Sequence, residues 1–332
     1  MPKALLEIND LKVYYPVKKL FGFGEKRYVK AVDGVSLSIN EGEAFGLVGE
    51  SGCGKSTLGH TIVGLLDAME GEIVFDGQPI TGKGKKRNLE LSKKNQIIFQ
   101  DPYSSLDPRF TVGRCIAEPL VVHGEGNRES RKQRVLQLMR DVGLNEEQYT
   151  KFPHEFSGGQ RQRIGVARAL ALDPKLIVCD EPVSALDVSI QAQILNLMQE
   201  LQKKYNLTYV FISHNLSVVN YLCDRVAVMY LGNIVELAPK TALFAAPMHP
   251  YTQALLNAIP VPDPDRKSME GTLTGDVPSP LDPPSGCCFH TRCSLCTEIC
   301  RQEKPPRREL APDHFVACHH AQNVAEAQGA PA

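Results

Sequence analysis

The sequence has no long apolar run: nowhere in its 332 residues does a stretch approach the roughly 20 apolar positions needed to span a bilayer. Nor has it an excess of either charge. Lys and Arg number 37 against 38 for Asp and Glu, a formal net charge of −1, which argues against a chain held on nucleic acid mainly by a basic surface. The polar and basic stretch from Thr81 to Lys94 lacks interleaved aromatic residues, so it reads as a connector and not as a nucleic-acid patch. Heptad arrays are absent. Between Met1 and Asn40 lysines are scattered and no apolar signal-peptide core stands out. The expectation is a protein kept in the cytoplasm and able to dock on a membrane partner. With 42% hydrophobic and 23% charged residues the composition is ordinary for a globular protein. The length allows one large domain plus an appendage, or two domains.

What is present first of all is a phosphate loop. Gly49-Glu50-Ser51-Gly52-Cys53-Gly54-Lys55-Ser56-Thr57 has the Gly, four residues, Gly-Lys-Ser pattern. Ala44 to Val48 before it has strand length and apolar character, and Leu58 to Leu66 after it reads as a helix. Glycines let the backbone come close to phosphate oxygens, its N–H groups converge as a nest, and the helix dipole adds to the same anion. Lys55 is expected to reach the β- and γ-phosphates of a nucleotide, and the Ser56 hydroxyl to ligate Mg²⁺.

Alternating apolar and polar positions at 5–13 and 31–40 suit half-buried antiparallel strands, with a surface loop from Val17 to Lys30 between them. Further on, Gln96–Phe99, Leu176–Cys179 and Thr208–Ile212 read as strands. Residues 110–150, Gly158–Ala171, Ile190–Lys204 and Leu216–Leu222 read as helical. Strands alternating with helices imply a parallel sheet covered on both faces, with ligands beyond the strands' carboxyl ends. Lys55, Gln100, Asp180 and His214 each follow an apolar strand, so they can converge there. From about residue 260, prolines at 260, 262, 264, 278, 280, 283 and 284 mark a region with little regular structure. Of the ten cysteines, Cys53, Cys115, Cys179 and Cys223 are scattered and expected as small core residues. The others, Cys287, Cys288, Cys293, Cys296, Cys300 and Cys318, crowd the C-terminal end.

Leu176 to Glu181 has the form of a Walker B strand, four apolar residues and then Asp-Glu. Asp180 is expected to hold Mg²⁺, directly or through water, and Glu181 to polarise an attacking water as general base. In Phe156-Ser157-Gly158-Gly159-Gln160, Ser157 at a helix N-cap followed by two glycines makes a second anion-receptive helix start. Having no lysine of its own, this nest makes sense if it closes over phosphate held by another subunit. Here the chain resembles the ABC ATPases, whose Leu-Ser-Gly-Gly-Gln signature appears with Phe156 in place of Leu.

The resemblance implies two such domains paired head-to-tail, each nucleotide held between one phosphate loop and the other subunit's Ser157–Gln160. Gln100 resembles the Q-loop glutamine that touches Mg²⁺ and water near the transmembrane partner. Ser184-Ala185-Leu186-Asp187 resembles the D-loop, and His214 the switch histidine at the γ-phosphate, though Asn215 follows it where the family usually has Asp. Tyr15 best fits the aromatic that stacks on adenine, with Tyr14 and Tyr28 as competitors. The fold implied is α/β, a P-loop NTPase of ABC ATPase type. It comprises a mostly parallel core sheet, an N-terminal antiparallel β subdomain, a helical signature subdomain at about 103–172, and an irregular Cys-rich tail. The nucleotide-binding domain would span 1–260 and the Pro/Cys-rich extension 261–332.

The run from Val183 through Asn196, the segment His249-Pro250-Tyr251-Thr252-Gln253-Ala254-Leu255-Leu256 and the tail narrow the resemblance to dipeptide/oligopeptide importer ATPase subunits. That family implies an ATP-hydrolysing motor at the cytoplasmic face of the inner membrane. Its partners would be a sister ATPase subunit, two transmembrane permease subunits and a substrate-binding protein, with no nucleic acid. Within the family some members serve nickel, glutathione or antimicrobial-peptide systems. Several carry a 4Fe–4S cluster on cysteines that match Cys287, Cys293, Cys300 and Cys318 here. On ligand grounds four thiolates suit iron–sulfur or zinc equally, an unliganded tail stays open, and His290, His314, His319 or His320 could serve zinc. Cys288 and Cys296 are extra to the pattern. Readings outside transport are a soluble ABC ATPase acting on nucleic acid or ribosomes, and an ABC-fold scaffold for iron–sulfur assembly.

Overall fold

The computed structural model describes residues 3–17, 27–81, 89–259 and 275–321. The chain opens with two long strands, β1 (Ala4–Pro16) and β2 (Tyr28–Asn40), then β3 (Ala44–Val48) and the helix α1 (Lys55–Ile62). Next come β4 (Glu70–Phe75), β5 (Gln78–Pro79), α2 (Leu89–Lys94) and β6 (Asn95–Ile98). A helical segment follows: α3 (Val112–Val122), α4 (Arg128–Asp141) and α5 (Gly158–Ala169). Strand and helix then alternate through β7 (Leu176–Asp180), α6 (Val188–Tyr205), β8 (Thr208–Ser213) and α7 (Leu216–Leu222). The hairpin β9 (Arg225–Tyr230) and β10 (Asn233–Pro239) leads to α8 (Lys240–Ala245) and α9 (Pro250–Asn257). In the tail lie α10 (Glu298–Gln302), β11 (Arg308–Ala311) and β12 (His314–Val316).

Two sheets result. One is four-stranded in the order β2-β1-β4-β5; the other is eight-stranded in the order β11-β12-β10-β9-β3-β8-β7-β6. In the larger sheet β9, β3, β8, β7 and β6 run parallel, while β10, β12 and β11 add antiparallel. Every residue of β7 and β8 is buried, as a parallel sheet covered on both faces requires. On one face α1 and the antiparallel sheet enclose a core that includes Leu6, Val32, Leu58, Val178 and Ile212. On the other, α6, α7 and the helical segment enclose a second core around Ile164, Met198, Val219 and Phe211. Cys53, Cys115, Cys179 and Cys223 are buried in these cores, as expected for small apolar residues.

The helical character expected of residues 110–150 is present, divided between α3, α4 and a 3₁₀ turn at Glu146–Thr150. Gly124 and Gly126, at φ 71° and 64°, carry the chain out of α3, and Asn127 caps α4 by accepting from the Ser130 N–H at 2.9 Å. The tail is irregular over most of 275–307, but residues 308–316 form a hairpin that joins the main sheet, Glu236 pairing with Val316 and Leu237 with Phe315. A buried polar contact fixes this seam. His314 Nε2 lies 2.7 Å from Glu236 Oε1, and the same carboxylate accepts the N–H groups of Met248 and His249 at 2.7 and 3.0 Å. Glu236 is 0% exposed and His314 1%, so each satisfies the other's hydrogen bonding away from water.

Candidate nucleotide site

The phosphate loop is crowded from two sides, and glycine is what lets it fit. A side chain on Gly49 (φ 155°) would bring Cβ to 2.2 Å from the Met229 carbonyl oxygen, and one on Gly54 (φ 106°) to 1.9 Å from that of Ala31. Inside the loop Lys55, 4% exposed, donates to the carbonyls of Gly49 and Glu50, both at 2.8 Å. Ser56 Oγ donates to Asp180 Oδ1 at 2.8 Å, tying the first turn of α1 to the end of β7. His60, on the same helix, brings Nε2 to 3.2 Å from Asp180 Oδ2.

Glu181, next in sequence, turns the other way. Its φ is 46°, and its N–H donates to the Ile212 carbonyl of β8 at 3.0 Å. Its Oε2 accepts from Gln100 Nε2 at 3.0 Å and stands 3.2 Å from His214 Nδ1. Groups from the ends of β6, β7 and β8 thus meet at one oxygen. They face a cleft of about 500 Å³ whose lining also includes Ser51, Gly52, Lys55, Ser56 and Thr57, together with Val29, Ala31 and Pro280. Asn215, standing where the family usually has Asp, accepts from the Ser217 N–H at 2.9 Å and so caps α7. Asn does this as well as Asp, so the departure leaves the position of His214 intact.

The register of the first two strands separates the three tyrosines. Tyr15 pairs with Val29, Tyr14 with Lys30 and Pro16 with Tyr28. Paired residues share a face and neighbours alternate, so Tyr15 lies on the face of Val29, which lines the cleft. Tyr14 and Tyr28 lie on the opposite face, where Tyr14 hydrogen-bonds Asp33.

Ser157–Gln160 and Asp187 do not line this chain's own cleft. Ser157 caps α5, accepting from the Gln160 N–H at 3.4 Å while its own N–H donates to Gln160 Oε1 at 3.1 Å. A Cβ on Gly159 would come within 2.5 Å of Ile190 Cγ2, so this helix start leans closely on the first turn of α6. Ser157 and Asp187 are both exposed.

Sequence reasoning missed the groups that hold the loop from behind. Arg292 donates both terminal nitrogens to Glu50, at 2.7 and 3.2 Å, Tyr251 Oη accepts from the Glu50 N–H at 2.9 Å, and Pro280 lines the cleft. Tyr251 and Arg292 stood in stretches singled out by resemblance alone; no local signal ties them to residue 50. Burial pushes the tail thiols up, Cys293 to about 11 and Cys318 to about 12, with Cys287 and Cys300 close enough to add to the effect. Among the described residues no group of three or more His, Cys, Asp or Glu is arranged to hold a metal ion. The placed thiols therefore do not form a ready ligand set for the expected cluster.

A family model described as ABC transporter matches residues 32–184, and one described as Oligopeptide/dipeptide transporter, C-terminal region, matches residues 235–300. The chain is 51% identical over 323 residues to oligopeptide transport ATP-binding protein AppF of Bacillus subtilis, covering 96% of this chain and 97% of that one. It belongs to the ATP-binding subunits of the oligopeptide/dipeptide ABC transporters. This ATP-binding subunit is also 50% identical to oligopeptide transport ATP-binding protein OppF of Salmonella typhimurium, over 95% of its own length and 96% of the relative's. Among solved structures it resembles the dimeric post-hydrolysis ATP-binding cassette MJ0796 bound to ADP and Pi. There the identity is 29% and the TM-score 0.60, over 71% of this chain and 98% of that one. CbiO1 from Clostridium perfringens matches with 28% identity and TM-score 0.63, over 73% and 91%. The subunit is an ATPase coupled to transport, and its fold is that of the ABC cassettes.

Proposed function

We propose that this subunit is the motor of an importer for oligopeptides or dipeptides, and that the meeting of Gln100, Glu181 and His214 at one carboxylate oxygen is its hydrolytic centre. That convergence, beside a lysine-bearing phosphate loop, is the observation that carries the reading. ATP would lie along residues 49–57 with Lys55 at the β- and γ-phosphates and adenine against Tyr15, which shares the cleft-lining face of β2. The oxygen donors Ser56 and Asp180, already in contact, suit a hard cation. Mg²⁺ held there with Gln100 nearby would neutralise phosphate charge. Glu181 takes a proton from the attacking water as the water oxygen bonds to the γ-phosphorus and the bond to the ADP oxygen breaks. His214 steadies Glu181 and the departing phosphate charge.

The half-buried Ser157–Gln160 helix start, with Ser157 itself exposed, and the exposed Asp187 suit closure over a nucleotide held by a second ATPase, which we take to be a sister subunit. Two transmembrane permease subunits docked near Gln100 and a periplasmic or lipid-anchored substrate-binding protein complete the assembly, with this subunit peripheral at the cytoplasmic face of the inner membrane. Among the described residues no helix is long and apolar enough to cross a membrane, so that site would be reached through the permease. The nearness of Cys287, Cys293, Cys300 and Cys318 to one another supports a 4Fe–4S cluster on these four, which the side-chain arrangement among the described residues does not by itself build. Pull-down from membranes followed by ATPase assay, with and without peptide-loaded binding protein, tests the function. Stimulation by peptide-loaded binding protein is expected. Stimulation only by another cargo (nickel, glutathione or an antimicrobial peptide) would reassign the substrate. A pull-down that brings no integral membrane protein would favour a soluble scaffold.

A further inference from the structure

Glu50 is gripped from three sides. Its carbonyl accepts from Lys55, its N–H donates to Tyr251 Oη, and its carboxylate receives both terminal nitrogens of Arg292. The Arg292 side chain is only 4% exposed and that of Glu50 26%, so the pair is shielded from bulk solvent on the arginine side. Behind it Phe289, whose carbonyl accepts from the Arg292 N–H at 3.0 Å, packs its ring 5.2 Å from Tyr230 and 5.3 Å from Tyr251. A second tail segment reaches the cleft itself: the Pro280 carbonyl accepts from the Lys30 N–H at 3.0 Å, and Pro280 forms part of the cleft wall.

We infer that Arg292 is a positioning residue of the ATP site: acting through Glu50, it fixes the phosphate loop and cancels a carboxylate charge carried on the back of that loop. The cysteine-rich tail is then a working wall of the nucleotide site. Two effects combine in the contact. A bidentate guanidinium–carboxylate pair fixes orientation as well as distance. An unpaired Glu50 carboxylate would also repel the anion that residues 49–57 bind, more strongly for ATP than for ADP, which carries one negative charge fewer. The inference rests on reading residues 49–57 as the phosphate loop.

The test is equilibrium titration of the full-length protein with Mg-ATP and Mg-ADP, in wild type, Arg292→Gln, Arg292→Lys and the Glu50→Gln/Arg292→Gln pair, with thermal melts to confirm folding. Arg292→Gln should weaken ATP about tenfold, the scale of one charge-assisted pair, and ADP by less. Arg292→Lys, which keeps charge but not the fork, should fall between. The double variant should regain most of the ATP affinity because it removes the uncompensated charge. Equal losses for both nucleotides that the double variant fails to restore would reduce Arg292 to a scaffold role, and unchanged affinity in Arg292→Gln would overturn the inference outright. Lys55→Ala in the same titration keeps the two readings apart. If it binds ATP like wild type, the phosphate-loop reading itself is lost. If it abolishes binding while Arg292→Gln does nothing, only the tail inference fails.

Discussion

Replacing His314 by Ala should unfasten the tail hairpin from the main sheet. The substitution removes the ring that meets Glu236 Oε1 at 2.7 Å, at a seam where the two residues are 1% and 0% exposed. Removing one partner of a buried hydrogen bond costs about 1–3 kcal/mol, and more where the group left behind is charged. Glu236 would keep the N–H groups of Met248 and His249, which holds the loss to about 3 kcal/mol. At roughly 2 °C per kcal/mol for a chain at the large end of the surveyed range, the melting temperature should fall by about 6 °C. Thermal unfolding of the full-length chain measures this. Amide exchange at Ala317, whose N–H donates to Val235 at 2.8 Å, reports separately on the seam. His314→Gln, still able to donate, should recover part of the loss. A shift under about 1 °C with Ala317 still fully protected would refute the argument that this contact holds the tail in place.

His249 is fully buried, its pKa pushed down to about 4 by burial against the opposing pull of Glu236, and its Nδ1 accepts from the Tyr251 N–H at 3.1 Å. Since the unfolded imidazole titrates near 6.5, the unfolded chain binds the extra proton between those values. This contribution, on the order of 3 kcal/mol, is complete above pH 6.5 and is lost as pH falls towards 4. His249→Asn, which keeps a capping acceptor, should show a shallower fall in melting temperature between pH 7 and pH 5; an unchanged slope would remove His249 as the cause. Glu181→Gln should cut ATP turnover by about 100-fold or more while ATP stays bound and the closed dimer accumulates on gel filtration. Turnover at the wild-type rate would take Glu181 out of the base role. Protein purified without oxygen should be brown, with stoichiometric iron and labile sulfide, if the tail cysteines hold a 4Fe–4S cluster. A colourless, zinc-containing preparation would reject it.

The phosphate loop, the strands β7 and β8 and the capped start of α5 were legible because each announces itself locally, by glycine spacing, an unbroken apolar run or a serine cap. The hairpin of β9 and β10 was not. Its turn places Leu231 and Gly232 at φ 41° and 77°, the mirror-image geometry that Asn-Gly usually signals, and a leucine at the first position conceals it. The tip matters to the site, since the Gly232 N–H donates to the Cys53 carbonyl at 2.9 Å. The tail hairpin escaped notice for another reason. Its partner strand lies far back in the sequence, Glu236 against Val316, and no periodicity reports pairing over such a separation. His60 and Arg292 were invisible in the same way: each touches a recognised motif only through space.

Position 181 is constrained twice over. Its backbone sits at φ 46°, a region that Asp and Asn enter more readily than Glu does, yet its carboxylate must extend far enough to meet both Gln100 and His214. Asp would ease the backbone and fall a methylene short; Gln would keep the length and forfeit the basicity. No standard residue improves one demand without surrendering the other. The conformational strain at the end of β7 is therefore a permanent feature of any sequence that builds this centre in this way, and the neighbouring strand β8, which takes the Glu181 N–H, is what such a sequence must keep rigid.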